Sequence, residues 1–261
     1  MKSRPGFPAK LGSTKTPSVA PRVVMPQSAV RAATTRMSQP TGVGLDSSAV
    51  RANMVKKLAD QGIEDEAVLD AMGRIERHRF VDTALVNQAY EDTSLPIGLG
   101  QTISKPNVVA RMIALLRQAP LVQQGHSLGR VLEIGTGCGY QAAVLSLVAK
   151  EVYSIERLRG LHDKARENLR PLRLPNVHVI FGDGMEGYAK GAPYSAIIAA
   201  AGGEAMPQAW IDQLAVGGRI VAPMQMPNGQ QALVVVDKTE QGLRQSLLEP
   251  VMFVPLKSGI A

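Results

Sequence analysis

The residues with chemistry in their spacing begin at Glu133-Ile134-Gly135-Thr136-Gly137-Cys138-Gly139. Alternate glycines here follow the apolar run Val131, Leu132, Ile134. Glycine accepts left-handed backbone and lets a ligand approach the main chain closely, so a glycine turn between a buried strand and a helix is a cofactor cradle. Glu156 lies 21 residues after Gly135, at the end of the next apolar run, where a carboxylate can receive both ribose hydroxyls of a nucleoside. The implied ligand is an adenosine-type cofactor. Other chemistries are poorly supplied. His78, His126, His162 and His178 show no metal-ligand spacing, and the single cysteine, Cys138, can form neither an internal disulfide nor a cysteine-based zinc site. It reads as a small residue in the turn, and Trp210 reads as a packing residue beside the sheet. No His–Asp or paired-carboxylate set is visible.

The elements that must position these residues alternate. Arg130–Ile134 reads as a strand, about Tyr140 to Ala149 as a helix, and Val152–Glu156 as a second strand. Leu158–Leu169 follows as an amphipathic helix, Val177–Ile180 as a third strand before Gly182-Asp183-Gly184, and Tyr194–Ala201 as a fourth. A short helix at Pro207–Leu214 and a fifth strand at Arg219–Pro223 come next. Leu233–Val236 and Val251–Val254 read as later strands antiparallel to the rest. This alternation implies an α/β fold, a doubly wound, mostly parallel sheet with helices on both faces, and ligands on such sheets sit at the carboxyl ends of the strands. Gly135–Gly139, Glu156, Asp183 and Ala199–Gly203 all fall there.

Upstream, Val50, Met54, Val55 and Leu58 recur at helical spacing up to Gly62. Asp65 is placed to cap a second helix through Val68, Leu69, Met72 and Ile75, so a small N-terminal helical cap is expected. A long irregular stretch reaches Gly98-Leu99-Gly100-Gln101-Thr102-Ile103-Ser104-Lys105-Pro106, a length that usually marks function. Pro106 suits the first turn of a helix whose apolar face is Val108, Val109, Met112, Ile113, Leu115 and Leu116, and Ser104 stands where its N-cap would. A loop at Gln124–Ser127 leads into the opening strand.

Residues 1–46 are rich in Pro, Ser, Thr and Ala and form a basic extension expected to be disordered, with residues 47–261 as the folded domain. Its prolines interrupt an amphipathic transit helix, and no secretory apolar core follows the first charges. Residues 1–45 hold seven of the 29 basic residues and no acid, which leaves 22 basic against 22 acidic residues in the rest. The net charge of +7 therefore belongs to the extension, and the body does not call for nucleic acid. No run approaches a membrane span of about 18 apolar residues. The expected setting is cytoplasmic and reducing, and the expected state is a monomer.

The pattern distinguishes two cofactors. A nicotinamide fingerprint, G-x-G-x-x-G, fits imperfectly: counted from Gly135 its last glycine falls on Tyr140, and counted from Gly137, with Gly139 second, it falls on Ala142, a permitted variant. Glu-x-Gly-x-Gly-x-Gly, from Glu133 to Gly139, instead resembles the first motif of class I S-adenosylmethionine-dependent methyltransferases. The resemblance implies S-adenosyl-L-methionine as cofactor, with Glu156 at the ribose and Asp183 at the adenine amino group, where an ionised carboxylate is the stronger acceptor.

A closer resemblance comes from Arg79-Phe80-Val81, Leu95-Pro96-Ile97-Gly98 and Gly100-Gln101-Thr102-Ile103-Ser104-Lys105-Pro106, continued by Val131–Tyr140, Gly182-Asp183-Gly184, Pro207–Gly218 and Phe253-Val254-Pro255-Leu256. In this order, over residues 50–261, they are similar to protein-L-isoaspartate (D-aspartate) O-methyltransferases. The resemblance implies methyl transfer to the free α-carboxylate of isoaspartyl and D-aspartyl residues in damaged proteins, after which the ester closes to a succinimide. It makes Ser104 the catalytic residue. Gln101, Thr102, Ile103, Ser104, Glu133, Gly135, Thr136, Gly137, Glu156, Arg157, Asp183 and Gly184 become the cofactor-binding set, with no metal. A carboxylate acceptor with an ordinary pKa near ~3.9 is already ionised at neutral pH, so no general base is required. Ser195, Ala199, Ala200 and Lys257 depart from what many relatives carry. Two other readings share these residues: a non-catalytic module that binds the cofactor or damaged peptides, and a methyltransferase of the same fold acting on a small molecule or RNA.

Overall fold

A computed structural model describes residues 48–125 and 127–261; the expected extension at 1–46 and His126 lie outside the described residues. The core is a seven-stranded sheet. Its strands are β3 (Arg130–Ile134), β4 (Glu151–Glu156), β5 (Val177–Phe181), β6 (Tyr194–Ala199), β7 (Leu214–Gln225), β8 (Gln231–Thr239) and β9 (Gly242–Val251), in the spatial order β5-β4-β3-β6-β7-β8-β9. β3 to β7 pair in parallel, and β8 runs antiparallel to both β7 and β9. The expected doubly wound sheet is present. The strand expected at Val251–Val254 is corrected: β9 precedes it and ends at Val251, and β9, being antiparallel to β8, points the same way as the parallel strands. It is an exposed edge strand with no buried stripe, so its sequence shows no period.

Side chains alternate across the sheet. Val131, Val152, Ala196, Ile198 and Val221 face one way and pack under helices α3 (Pro106–Arg117), α5 (Tyr140–Ser146) and α6 (Arg159–Leu169). Leu132, Ile134, Ile197, Ile220 and Val234 face the other way, where the cover among the described residues is one six-residue helix, α7 (Gln208–Gln213), with Trp210, Tyr194 and Tyr188. Apolar burial on both faces is what lets a parallel sheet stand.

Helices α1 (Ser48–Asp60) and α2 (Glu66–Arg74) form the expected N-terminal cap, joined through Gly62 at φ +94. Asp65 caps α2 as its sequence implies, accepting the Val68 N–H at 3.1 Å. The stretch read as irregular holds two short 3-10 turns, Arg77–Phe80 and Thr83–Gln88, and then an antiparallel hairpin, β1 (Leu95–Gly98) and β2 (Gln101–Ile103). Leu99 and Gly100 form its turn with positive φ at both positions, +51 and +69, the demand of a two-residue type I′ hairpin. The expected loop before β3 is partly helical, as α4 (Pro120–Gly125).

Candidate active site

At the carboxyl ends of the strands lies a crevice of about 470 Å³, within the range of small-molecule sites. Its floor is the glycine turn. Gly135, Gly137 and Gly139 take φ of +89, +56 and +91, so the alternation of glycines answers a backbone requirement. The turn is tied down from β4: the Gly135 and Thr136 N–H groups donate to the Ile155 carbonyl at 2.9 and 3.2 Å. Glu156, only 5% exposed, accepts from Gly137 N–H at 2.8 Å through Oε2 and from Leu158 N–H at 2.9 Å through Oε1. The carboxylate expected at a ribose is therefore also the brace of the turn, and it still lines the crevice.

Gly184 shows a second close approach. A Cβ there would meet Ile134 Cγ2 at 2.5 Å, so only glycine brings the loop after β5 against β3. Trp210 fixes that loop by donating from Nε1 to the Gly184 carbonyl at 2.8 Å. Packing beside the sheet is thus joined to a site function that its sequence context does not show.

Of the residues singled out by sequence, Gln101, Thr102, Ile103, Ser104, Gly135, Thr136, Gly137, Glu156, Arg157 and Gly184 come together around this one crevice. Two do not. Glu133 shares the Val131 side of β3 and is fully buried beneath the turn, not on the crevice wall. There it anchors a relay in which Thr136 Oγ1 lies 2.6 Å from Ser154 Oγ and the Ser154 hydroxyl donates to Glu133 Oε2. Burial raises the Glu133 carboxyl to about 8, against the pull of the Ser154 and Gln141 side chains. Asp183 caps its own loop, accepting Met185 N–H at 2.8 Å through Oδ1 and Gly259 N–H at 2.5 Å through Oδ2. Both Asp183 oxygens thus already accept a backbone N–H, and the adenine contact implied for Asp183 would share one of them.

Ser104 also departs from expectation. The N-cap position of α3 is Lys105, without a side-chain hydrogen bond, and the Ser104 hydroxyl makes no hydrogen bond among the described residues. It lines the crevice opposite the turn with its donor uncommitted. The sequence reading missed three further contributors. Gln141, on the first turn of α5, lines the crevice, and its side-chain amide lies beside the buried Glu133 carboxyl. Lys164 donates to the Ile97 carbonyl at 2.9 Å and anchors the hairpin. Val254–Lys257 form the far wall, held by Gly202, whose N–H and carbonyl bond Val254 and Leu256 at 2.8 Å each. The Phe253-Val254-Pro255-Leu256 run was the available signal for the last of these.

The departures sort by position. Ser195 is at the amino end of β6, where its hydroxyl meets the Leu128 and Arg130 carbonyls, remote from the crevice. Ala199 is buried at the strand end, while Ala200 and Lys257 line the crevice. Cys138 is buried and free, its thiol pushed up to about 11 by burial, which leaves it a poor nucleophile. Among the described residues no cluster of His, Cys, Asp and Glu could hold a metal. His78 meets Tyr90 at 2.7 Å, His162 meets Asp163 at 3.0 Å and His178 meets Glu151 at 2.6 Å.

Residues 49–261 match the model of the protein-L-isoaspartate(D-aspartate) O-methyltransferase family. The chain belongs to this family. It is 60% identical over 243 residues to the protein-L-isoaspartate O-methyltransferase of Leptothrix cholodnii, covering 92% of this chain and 85% of that one. It is 56% identical over 262 residues to that of Methylibium petroleiphilum, covering 98% and 96%. Among solved structures, a protein-L-isoaspartate O-methyltransferase superposes with a TM-score of 0.72 at 27% identity, covering 80% of this chain and 67% of the other. A Plasmodium falciparum protein crystallised with S-adenosyl-L-homocysteine superposes at 0.68 and 22% identity, covering 79% and 98%, and shares the fold. The isoaspartyl methyltransferase family is the one the Gln101–Ser104 loop and the glycine turn had pointed to.

Proposed function

We infer that this chain transfers the methyl group of S-adenosyl-L-methionine to the free α-carboxylate of L-isoaspartyl and D-aspartyl residues in damaged proteins, beginning their repair through a succinimide. The observation that carries the site assignment is one crevice that joins a braced glycine turn to an uncommitted serine hydroxyl. The cradle fits the cofactor, because side chains are missing where a ligand must approach the turn. When bound, the cofactor supplies an electrophilic methyl group on a sulfonium.

The protein's own task is placement. Glu156, Arg157 and Gly184 are positioned to hold the nucleoside, and Gly135–Gly137 the methionine end. Ser104 orients the acceptor carboxylate through a hydroxyl donor, which is stronger to a charged acceptor. The acceptor is ionised at neutral pH, so alignment and exclusion of water supply the catalysis, and the absence of a general base is consistent. The proposed state is a monomer. The balanced charge of residues 46–261 favours a protein over a nucleic-acid acceptor. No helix among the described residues is long and apolar enough to cross a membrane, and a single buried thiol suits a reducing cytoplasm.

The test offers labelled cofactor with two peptides that differ only in an isoaspartyl or an aspartyl linkage. Base-labile label on the isoaspartyl peptide alone is expected. Label on neither, with cofactor still bound, would favour a non-catalytic binding module, and label only on RNA or a small molecule would move the acceptor.

A further inference from the structure

Helix α3 starts at Pro106 directly after the serine loop, and its local sequence does not cap it. The first turn of a helix leaves N–H groups without partners. Here the Asn107 N–H finds one fifteen residues upstream, in Asp92 Oδ1 at 2.9 Å. Asn107 Nδ2 donates in turn to Gln61 Oε1 at 2.7 Å, at the end of α1. The start of α3 is therefore fixed from outside the helix. Pro106 has a locked φ, so a fixed helix start also fixes the direction in which Ser104-Lys105 leave it.

The loop that presents Asp92 is itself clamped. Arg77 is fully buried and donates from Nε to the Ala89 carbonyl at 2.8 Å and from Nη2 to the Thr93 carbonyl at 3.4 Å, on either side of Asp92. Its guanidinium lies 4.8 Å from the ring centroid of Tyr140, the first residue of α5, and its Nη1 has no hydrogen-bond partner among the described residues. A buried cation left partly unsatisfied is an expensive way to hold a loop, and one that stability alone does not favour. We propose that Asp92, on a loop clamped by Arg77, is a positioning residue that aims Ser104 at the acceptor carboxylate by capping α3. This rests on the reading of Ser104 as the residue that orients the acceptor.

Removing Arg77 risks unfolding, so Asp92 carries the test. In the full-length chain, Asp92→Ala, Asp92→Asn, Ser104→Ala and the Asp92→Ala/Ser104→Ala double variant are compared for kcat, KM for an isoaspartyl peptide, cofactor Kd and Tm. Asp92→Ala is expected to lower kcat about fivefold with cofactor Kd changed less than about twofold, an effect of misplacement and not of lost binding. Asp92→Asn is expected to restore most of it, since an amide oxygen accepts the same N–H. In the Ser104→Ala background, Asp92→Ala is expected to cost no further turnover, because residues acting through one another are non-additive. Independent, multiplying losses overturn the proposal, as does an unchanged kcat in Asp92→Ala or a failure of asparagine to rescue. Full turnover in Ser104→Ala alone sinks the reading of Ser104 and the proposal with it, a result distinct from the other three.

Discussion

The two walls of the crevice are built differently. The cofactor wall is over-determined: Glu156 is almost wholly buried, both its oxygens are engaged, and the turn above it is tied to β4 by the Gly135 and Thr136 amides. The opposite wall, the Ser104 loop proposed to receive the acceptor as well as to touch the cofactor, is held at its ends. Gly98, Leu99 and Gly100 take positive φ in succession, Leu99 is 63% exposed, and Ser104 bonds to nothing among the described residues. Its anchors are the Lys164–Ile97 and Asp92–Asn107 hydrogen bonds. A preorganised half suits a cofactor that always has the same shape. A sparsely held half suits acceptors that arrive embedded in many different damaged chains.

The largest break in this contrast is Glu156→Ala. It removes the carboxylate proposed to receive the ribose and leaves the Gly137 and Leu158 amides without their partner. Hydrogen bonds to a charged group are worth about 1.5–3 kcal/mol, so cofactor affinity is expected to fall about 100-fold by calorimetry, with a lowered Tm. Ser104→Ala on the opposite wall should do the reverse. Turnover is expected to fall about thirtyfold by the same scale of hydrogen-bond energy, with cofactor Kd and Tm nearly unchanged. Equal collapse of binding in both variants would erase the distinction between the walls.

The cofactor wall was legible in the sequence because its signals are local. Each glycine of the turn, and Glu156 at a strand end, is set by its immediate neighbours. Orientation was less legible. Glu133 sits in the expected strand, yet alternation turns it under α5, and Asp183 is drawn into capping its own loop. On the acceptor wall the decisive contacts are distant. Ser104 looks like a cap because the true one, Asp92, belongs to another loop, and three-residue β2 is too short to show a period. The exposed edge strand β9 escaped for want of a buried face.

Glu133 offers a finer test of how rigid the cofactor wall is. Its carboxyl is raised from 4.5 to about 8 by burial, so the folded protein holds this proton more tightly than the unfolded chain. The stability it contributes is complete below the unfolded value of 4.5 and is lost as pH rises through about 8. Within that window the slope is about 1.4 kcal/mol per pH unit. Glu133→Gln keeps an oxygen to accept from Ser154 and carries no titration. The Tm of the variant relative to the parent is therefore expected to rise steadily across that window, from about pH 5 to about pH 8. A constant difference would mean that the site is hydrated.

The smallest expected effect is the most specific to the acceptor wall. A non-glycine residue in left-handed backbone costs about 1–2 kcal/mol, and Leu99 bears it between two glycines. Leu99→Gly removes that strain but adds about 0.5–1 kcal/mol of chain entropy to the unfolded state, so Tm should scarcely move. What it does remove is a contact. The backbone at Gly160 comes so close that a Cβ there would lie 3.1 Å from Leu99 Cδ1, which makes the leucine a latch between the hairpin and the first turn of α6. Without it the hairpin closes less firmly over the crevice that Leu99 lines. Stopped-flow dissociation of the bound cofactor product is expected to quicken about threefold, the order of one small apolar contact. Unchanged release at unchanged Tm would show that the hairpin tip is a turn and nothing more, and that the anchors at Lys164 and Asp92 alone define the acceptor wall.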